Sequence, residues 1–138
     1  MFVSAGGRGM GQTTVLAMQP LGAYVFSYNI NRSGLDIMRK EISSWHVNIS
    51  VLIAVDHMFD KFIDDCLDIA ANNAGIVGHT KPIEDVANDE WRRTMIVCID
   101  SQFYTCRRAI PVFKAQKSGA INNMLSAVGI FGFPNRSP

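Results

Sequence analysis

The chain has little net charge, few cysteines and no uninterrupted apolar run long enough to cross a membrane. Its 13 Lys and Arg residues nearly balance its 12 Asp and Glu residues, which leaves a formal net charge of +1. Because this balance supplies neither a basic field nor an acidic tail, we expect neither nucleic acid nor a membrane surface as a partner. Pro20 and Gly22 interrupt the apolar stretch 15–26, and no positively charged segment precedes it as a signal peptide requires.

Cysteine and histidine are too sparse for a disulfide framework or a metal centre. Cys66, Cys98 and Cys106 are odd in number and lack C-x-x-C spacing, so we expect reduced thiols in a cytoplasmic protein. The 3 histidines form no pair at i, i+4. No metal site is therefore predicted.

The chain does contain enough apolar material for one buried core. Hydrophobic residues make up 48% of its 138 residues. Their pattern predicts strands at 1–3, 24–28, 47–55, 69–71 and 120–125, and helices at 10–18, 34–42, 58–66 and 86–117. This alternation predicts the α/β class, with a doubly wound parallel sheet in one domain. The last residues, 126–138, are predicted to form a loop.

A glycine-rich stretch follows the first predicted strand. Four of the eight residues from Ser4 to Gly11 are glycine. Glycine removes Cβ and permits positive φ, so a ligand can approach the main chain closely. A helix that begins at such a loop directs unpaired N–H groups at it, which suits a phosphate. The spacing is neither G-x-G-x-x-G nor a P-loop, so the stretch alone is equally consistent with a flexible turn.

Polar or small residues follow every predicted strand. In a doubly wound sheet the ligand lies outside the carboxyl ends of the strands. Those ends carry the glycine-rich stretch, Asn29, Asp56, the segment 72–75 and Ser126. Their convergence predicts a nucleotide-binding site. A receiver-like domain would require an acidic cluster there, and Asp56 stands alone.

The long predicted helix 86–117 carries an apolar stripe. Trp91, Met95, Ile99 and Phe103 recur at i, i+4 steps, which predicts either a core face or a contact with a second copy of the chain. Pro111 is expected to kink the helix.

Together these stretches resemble the short-chain dehydrogenase/reductase family of NAD(P)-dependent oxidoreductases. The stretch 4–11 is similar to the family loop T-G-x-x-x-G-x-G, with Ser4 for Thr and Ala5 where the first glycine belongs. Residues 72–75 read N-N-A-G, the family's fourth-strand motif. The stretch 118–126 resembles the fifth-strand segment that ends in the catalytic serine. The resemblance covers essentially the whole chain.

The resemblance implies a Rossmann-like domain over residues 1–138 that binds a nicotinamide dinucleotide. It implies hydride transfer between the nicotinamide and a small carbonyl or secondary alcohol substrate, with Ser126 as the catalytic residue present. The cofactor-binding residues it implies are Ser4, Arg8, Gly9, Met10, Gly11, Asn29, Asp56, Asn73, Ala74 and Gly75. Among these, 9–11 would pass under the pyrophosphate, Asp56 would meet the adenine and 73–75 would line the ribose side.

Each assignment has a structural alternative. Asn72 and Asn73 can simply tie neighbouring strands together. Asp56 can cap the helix that follows it. Ser126 can be an ordinary loop serine.

The charge at the end of the second strand bears on the choice of cofactor. An acidic residue there would accept hydrogen bonds from the ribose hydroxyls and repel a 2′-phosphate. Asn29 is neutral, and Arg8 and Arg32 can pair with a phosphate, so we favour NADP over NAD. The alternative is that Arg8 and Arg32 are solvated side chains that pair with no phosphate.

The chain also departs from the family pattern. The family's chemistry uses a Tyr-x-x-x-Lys pair, which this sequence does not contain; its last residues, 135–138, resemble the approach to that pair. Cys98 stands where the family has an asparagine, and we expect a thiol not to replace the amide's hydrogen bonds. Only about a dozen residues connect strands three and four, near the lower limit for a parallel crossover. We therefore expect a domain incomplete at its C-terminus, truncated after the fifth strand, or a catalytically dead nucleotide-binding or interaction module.

Overall fold

The computed structural model describes residues 1–29, 34, 36, 44–46 and 66–136. Its strands are β1 (Phe2–Ser4), β2 (Phe26–Asn29), β3 (Ser44–His46), β4 (Ile69–Asn72) and β5 (Ala120–Asn123). Its helices are α1 (Gly9–Met18), α2 (Asn88–Met95), α3 (Ser101–Gln116) and the short α4 (Val128–Phe131), and 3₁₀ turns lie at Gln19–Leu21 and Ile83–Asp85. A π-helical turn, Ile96–Asp100, joins α2 to α3.

The five strands form one parallel sheet in the order β3-β2-β1-β4-β5. The strand order reverses between β1 and β4, because β2 lies on one side of β1 and β4 on the other. This reversal is the topological switch point, the place where open α/β sheets bind ligands. The predicted doubly wound parallel sheet is therefore confirmed.

Helices cover both faces of the sheet. On one face Phe2 packs with Leu67, Ala70 and Ala109 of α3. On the opposite face Val3 packs with a second buried group: Val15 of α1, Val25 and Ala71. Neighbouring residues of β1 therefore point to opposite layers, as expected for a strand buried on both sides.

Several predicted boundaries shift. Strand β2 begins at Phe26, two residues later than predicted. Its start is set by pairing with β1, because the N–H of Phe26 donates to the carbonyl of Met1 at 2.9 Å. The third strand is observed at Ser44–His46, before the predicted 47–55, which lies outside the described residues. Asp56, Arg32 and most of the predicted helix 58–66 also lie outside them. The predicted C-terminal loop contains the helical turn α4.

The prediction of one long helix over 86–117 is corrected in two respects. The helix begins at Asn88, and the π-helical turn divides it before Ser101, whereas α3 runs through Pro111 to Gln116. Its buried face is also not the apolar stripe. The buried residues are small: Thr94, Ser101, Thr105 and Ala109.

The hydroxyls on that buried face are satisfied within the helix. Thr94 donates to the carbonyl of Glu90 at 3.1 Å, and Thr105 donates to the carbonyl of Ser101 at 3.0 Å. Because these bonds run to the i−4 carbonyl, a polar residue can face the sheet without an unpaired donor. Ile99 and Phe103 are consequently on the outer side, 51% and 58% exposed, so the prediction that the stripe is core is wrong for them.

Candidate cofactor site

The loop between β1 and α1 requires unusual backbone conformations. Gly9 has a φ of 56°, and an added Cβ there would meet no atom within 4 Å. Ala5 has a φ of 55°, although a side chain disfavours this left-handed region. The family glycine that Ala5 replaces would adopt this conformation without strain.

Gly6 and Gly11 allow neighbouring parts of the chain to pack closely against this loop. An added Cβ on Gly11 would lie 2.5 Å from both the carbonyl oxygen of Ala5 and the side-chain amide of Asn73. An added Cβ on Gly6 would overlap the hydroxyl of Ser27, which accepts the Gly6 N–H at 3.0 Å. The absence of side chains at these positions is therefore what lets α1 and β2 pack against the loop.

Ser4 joins the glycine-rich stretch to the N-N-A-G segment across the switch point. Its buried hydroxyl oxygen accepts the main-chain N–H groups of Asn73 and Ala74, each at 2.9 Å. In return, the side-chain amide of Asn73 donates to the carbonyl of Ser4 at 3.2 Å. The two motifs, 69 residues apart in the chain, thus form one unit.

Asn73 has one polar atom left over. Its Oδ1 is buried and has no hydrogen-bond partner among the described residues. A buried amide oxygen in this position costs free energy unless a donor reaches it. The neighbouring Gly75 is exposed, and an added Cβ there would meet open space. The segment after β4 therefore offers an acceptor beside an open surface.

The side chain of Asn72 links strands β4 and β5 of the sheet. It lies opposite Asn123 in the β4–β5 register, and its side-chain amide donates to Oδ1 of Asn123 at 2.7 Å. A longer contact, 3.7 Å, runs from the same amide to the Cys106 sulfur. This supports the structural alternative for Asn72. Sequence reasoning missed Asn123, whose only signal was a second asparagine pair, 122–123, inside the predicted fifth strand.

The remaining predicted cofactor residues differ in accessibility. Asn29 ends β2 and is buried, with its side-chain amide close enough to Gly7 to exclude a Cβ there. Arg8 and Met10, at the start of α1, are exposed. Asp56 lies outside the described residues.

Ser126 follows β5 at the edge of the sheet where the N-N-A-G segment follows β4. Two residues before it, the N–H of Met124 donates to the carbonyl of Asn72 at 2.8 Å, which ties this end of the chain to the N-N-A-G segment. The hydroxyl of Ser126 is exposed and accepts the N–H of Val128 at 3.3 Å. This is a local side-chain-to-main-chain bond just before the helical turn α4, whose N-cap is Ala127, and such a bond is common for a loop serine.

No internal tyrosine is poised to act as the acid or base. Burial raises the pKa of Tyr28 to about 12, an effect that the Ser4 hydroxyl opposes. A phenol of that pKa stays protonated at neutral pH and is a poor proton acceptor. Neither Tyr28 nor Tyr24 nor Tyr104 has a lysine four residues later.

Cys98 makes contacts that the sequence led us not to expect. Its sulfur accepts the main-chain N–H of Ile76 at 3.5 Å and lies 3.5 Å from the Ile76 carbonyl oxygen, to which the thiol donates. The thiol therefore has both a donor and an acceptor partner on the main chain of Ile76, at sulfur distances.

The chain's own features fit a dinucleotide phosphate at this loop. Helix α1 begins at Gly9 with no side-chain cap and no acidic residue in its first turn. Its first N–H groups are consequently free of a side-chain acceptor, and the positive end of its dipole is not neutralised. Open space adjoins Gly9, as described above. Among the described residues, no group of three or more metal-ligating side chains converges.

A parallel sheet with a glycine-rich loop at its switch point defines a doubly wound, Rossmann-like nucleotide-binding fold. The family model described as short chain dehydrogenase matches residues 1–138. The chain belongs to the short-chain dehydrogenase family.

Individual relatives agree with this assignment. The chain is 39% identical over 69 residues to a 3beta-hydroxysteroid dehydrogenase of Mediterraneibacter gnavus, covering 50% of this chain and 25% of the relative. It is 30% identical over 139 residues to the 2-keto-3-deoxy-L-fuconate dehydrogenase of Xanthomonas campestris pv. campestris, covering 98% of this chain and 45% of the relative.

A solved structure shows the same fold. The closed form of serine dehydrogenase complexed with NADP+ superposes with a TM-score of 0.89 at 18% identity, covering 97% of this chain and 56% of that chain. This chain thus spans about half the length, or less, of the proteins compared. Within the described ranges, no helix is long and apolar enough to cross a membrane.

Proposed function

We propose that this chain is the cofactor-binding part of an NAD(P)-dependent oxidoreductase that transfers a hydride between a nicotinamide and a carbonyl or secondary alcohol. The observation that carries the proposal is the Ser4 bridge. It holds the N-N-A-G segment against the end of β1 at the switch point, and the loop that leaves β1 there leads to the uncapped start of α1. This is the arrangement that binds dinucleotides in doubly wound sheets.

Each part of the site has a proposed task. The start of α1, from Gly9 to Gly11, hydrogen-bonds the pyrophosphate through main-chain N–H groups. The segment 73–75 lines the ribose side, where the unpaired Oδ1 of Asn73 accepts a donor. Asp56 meets the adenine, and Ser126 hydrogen-bonds the substrate oxygen. The bound nicotinamide supplies or accepts the hydride.

We further propose NADP as the preferred cofactor. The end of β2 carries the neutral Asn29 in place of a carboxylate that would repel a 2′-phosphate. Arg8 is exposed beside the loop and supplies a positive charge. A lower Kd for NADPH than for NADH is the expected result, and a lower Kd for NADH would overturn this choice.

A matched pair of glycine substitutions tests cofactor binding. Gly11→Ala places a methyl group against Ala5 and Asn73, whereas Gly129→Ala places one in open space. We expect Gly11→Ala to weaken NADPH binding more than about tenfold, the effect of misplacing several main-chain hydrogen bonds. Gly129→Ala should bind like the wild type. Titration calorimetry measures both, and circular dichroism checks that the variants fold. Equal affinities in the two variants would contradict the proposed site.

The second candidate function is a nucleotide-binding module without catalysis. It is favoured by one observation, that the Ser126 hydroxyl accepts the main-chain N–H of Val128 at 3.3 Å, as an ordinary loop serine does. Turnover assays with NADPH and NADP+ on a 3beta-hydroxysteroid and on a 2-keto-3-deoxy sugar acid, the substrate types named for the relatives, separate the two candidates. Binding with turnover supports the oxidoreductase, binding alone supports the module, and absence of binding removes both.

We also propose that the chain forms a homo-oligomer through the helical region 86–117. The outer face of α2, the π-helical turn and α3 exposes Ile96, Ile99, Phe103 and Ile110. Apolar side chains that recur along one helix face and remain exposed are typical of a subunit contact.

The location we propose is the cytoplasm. Cys66, Cys98 and Cys106 are all free thiols. Reduced thiols suit a reducing compartment, which supports this proposal. Fluorescence microscopy of a tagged chain provides the test.

A further inference from the structure

Three polar side chains form a row across the carboxyl end of the sheet. In the register of the parallel strands, Tyr28 of β2 pairs with Ser4 of β1. The β1–β4 register continues this row to Asn72, on the other side of Ser4. Because side chains two positions apart on a strand share a face, the row lies in the layer of Phe2, which packs with Ala109 of α3. The polar row is therefore held between the sheet and that helix.

The Ser4 hydroxyl has used both of its acceptor positions. A hydroxyl group has one proton to donate and two lone pairs with which to accept. The buried oxygen of Ser4 accepts the main-chain N–H groups of Asn73 and Ala74, each at 2.9 Å. Only the proton of Ser4 is left for a third partner.

Tyr28 supplies a buried acceptor beside Ser4. Its ring packs against Phe2, with the two centroids 5.7 Å apart, and its Oη is buried with no hydrogen-bond partner among the described residues. Burial raises the pKa of this phenol, and the neighbouring Ser4 hydroxyl has the smaller, opposite effect. A hydroxyl lowers the pKa of a phenol by donating to its oxygen. The direction of the effect thus makes Ser4 the donor and Tyr28 the acceptor.

Asn72 is the competing acceptor on the other side of Ser4. Its Oδ1 is also buried without a partner among the described residues. Its side-chain amide, however, is directed to Oδ1 of Asn123 and to the Cys106 sulfur. One proton cannot serve both neighbours, and the effect of Ser4 on the phenol favours Tyr28.

We propose that Tyr28 is a positioning residue, which accepts the Ser4 proton and thereby holds the two lone pairs of Ser4 toward the N–H groups that they accept. Linked hydrogen bonds polarise one another, so donation to Tyr28 also strengthens the two bonds that Ser4 accepts. The inference rests on the proposed function for its cofactor readout and on the Ser4–Tyr28 pair for its stability readout.

The first test is the sign of one stability change. Tyr28→Phe removes the phenol oxygen and keeps the ring. If Ser4 donates to that oxygen, the substitution leaves a buried proton without an acceptor, and we expect the unfolding equilibrium constant to rise roughly three- to tenfold. If the oxygen has no donor, its removal should instead lower that constant. Tyr104→Phe, on another ring packed against the same core, is the matched control and should leave it unchanged. Urea unfolding measures all three chains.

The second test asks whether Ser4 is the partner. In a Ser4→Ala background, Tyr28→Phe should cause no further loss of stability, because the donor is already absent. The Raman difference spectrum between a chain and its Tyr28→Phe variant isolates the ring doublet of Tyr28, whose intensity ratio separates an accepting phenol from one that does not accept. We expect the accepting ratio with Ser4 present and its loss in Ser4→Ala.

The third test measures positioning. In Tyr28→Phe we expect faster hydrogen exchange at the N–H groups of Asn73 and Ala74 and a higher Kd for NADPH, each by roughly two- to fivefold, as expected when two hydrogen bonds weaken. Tyr104→Phe should match the wild type in both. A side chain that only filled space would not couple these two N–H groups to the presence of Ser4, so neither change should appear when Tyr28→Phe is added to Ser4→Ala.

Each failure has its own meaning. Unchanged or increased stability in Tyr28→Phe overturns the proposal, and so does a loss that persists in the Ser4→Ala background. Lower stability with wild-type exchange and Kd shows that Tyr28 supports the sheet alone, which also overturns the positioning role. If the wild-type chain binds no NADPH, the proposed function fails, and the stability, Raman and exchange data still decide whether Tyr28 accepts the Ser4 proton.

Discussion

At the scale of single residues, Ala5 has an unfavourable backbone conformation in the described part of the site. Ala5 adopts a φ of 55° directly after β1, where the family loop has glycine. Its carbonyl oxygen nevertheless lies close to Gly11 and within 3.5 Å of the Asn73 amide, so the surrounding contacts impose the conformation. Strain of this kind persists only where neighbouring structure determines it.

We predict that Ala5→Gly stabilises the chain by roughly 0.5–1 kcal/mol, because glycine adopts positive φ without the Cβ penalty. Ala127→Gly is the matched control. Ala127 has a φ of −59°, where glycine brings only added freedom to the unfolded chain, so this variant should lose stability. Urea unfolding measures both changes, and a loss of stability in Ala5→Gly would contradict the interpretation of the loop.

At the scale of secondary-structure elements, the N-terminus of α2 is held by one carboxylate. Glu90 accepts the N–H of Ala87 at 2.9 Å and pairs with Lys81 at 2.6 Å and His79 at 3.3 Å. The hydrogen bond from Lys81, followed by that from Ala87, holds the pKa of Glu90 below its usual value. Glu90 thus fastens the chain after the N-N-A-G segment to the start of the long helical region.

The lowered pKa of Glu90 gives a signed pH dependence. Because the folded-state pKa lies below the unfolded value of about 4.3, the contribution of Glu90 to stability is present above that pH and is lost as the pH falls through the folded-state pKa. We expect Glu90→Gln to lower the urea midpoint near pH 7 and to flatten its decline between about pH 5 and pH 3. Glu84→Gln, in the preceding 3₁₀ turn, removes a carboxylate without changing Glu90 and is the matched control. An identical acid profile in wild type and Glu90→Gln would contradict the assignment.

At the scale of the whole molecule, the helical region 86–117 buries small residues fully and packs Tyr104, Val112 and Phe113 partly against the core, while Ile99 and Phe103 stay exposed. Arg107 lies over the rings of Phe103 and Tyr104, with its guanidinium carbon 5.6 Å and 5.3 Å from their centroids. An exposed aromatic ring with a neighbouring arginine is a composition enriched at subunit interfaces. The outer face therefore supports the proposed contact with a second copy of the chain.

We predict that Phe103→Glu shifts the chain to a monomer, because a carboxylate on this face cannot be buried against an apolar partner without a large desolvation cost. Leu21→Glu changes a residue that is 78% exposed after α1, and it should leave the association state unchanged. Analytical ultracentrifugation at several concentrations measures the association. A wild-type chain that is monomeric throughout would refute the homo-oligomer.

The sequence predicted those parts of the site that depend on local pattern. The glycines from Gly6 to Gly11 predicted a loop and a helix start, and the N-N-A-G segment predicted a strand end at the same edge of the sheet. It did not predict that the Ser4 hydroxyl would be engaged with Asn73 and Ala74, because that bond joins residues 69 positions apart. It also did not predict the contact between Cys98, which lies in the π-helical turn, and Ile76, 22 positions earlier.

What the sequence determined by itself was the α/β class, the parallel sheet and the place of the glycine-rich loop, since these follow from short-range periodicity and from backbone freedom at glycine. Only the tertiary structure decided which face of the helical region is buried and how the two cofactor motifs join. Both depend on contacts between distant residues: Ala109 against the sheet, Ser4 against Asn73 and Cys98 against Ile76. A helix with apolar and small residues on different faces can bury either one, and the close approach to the sheet selected the small side chains.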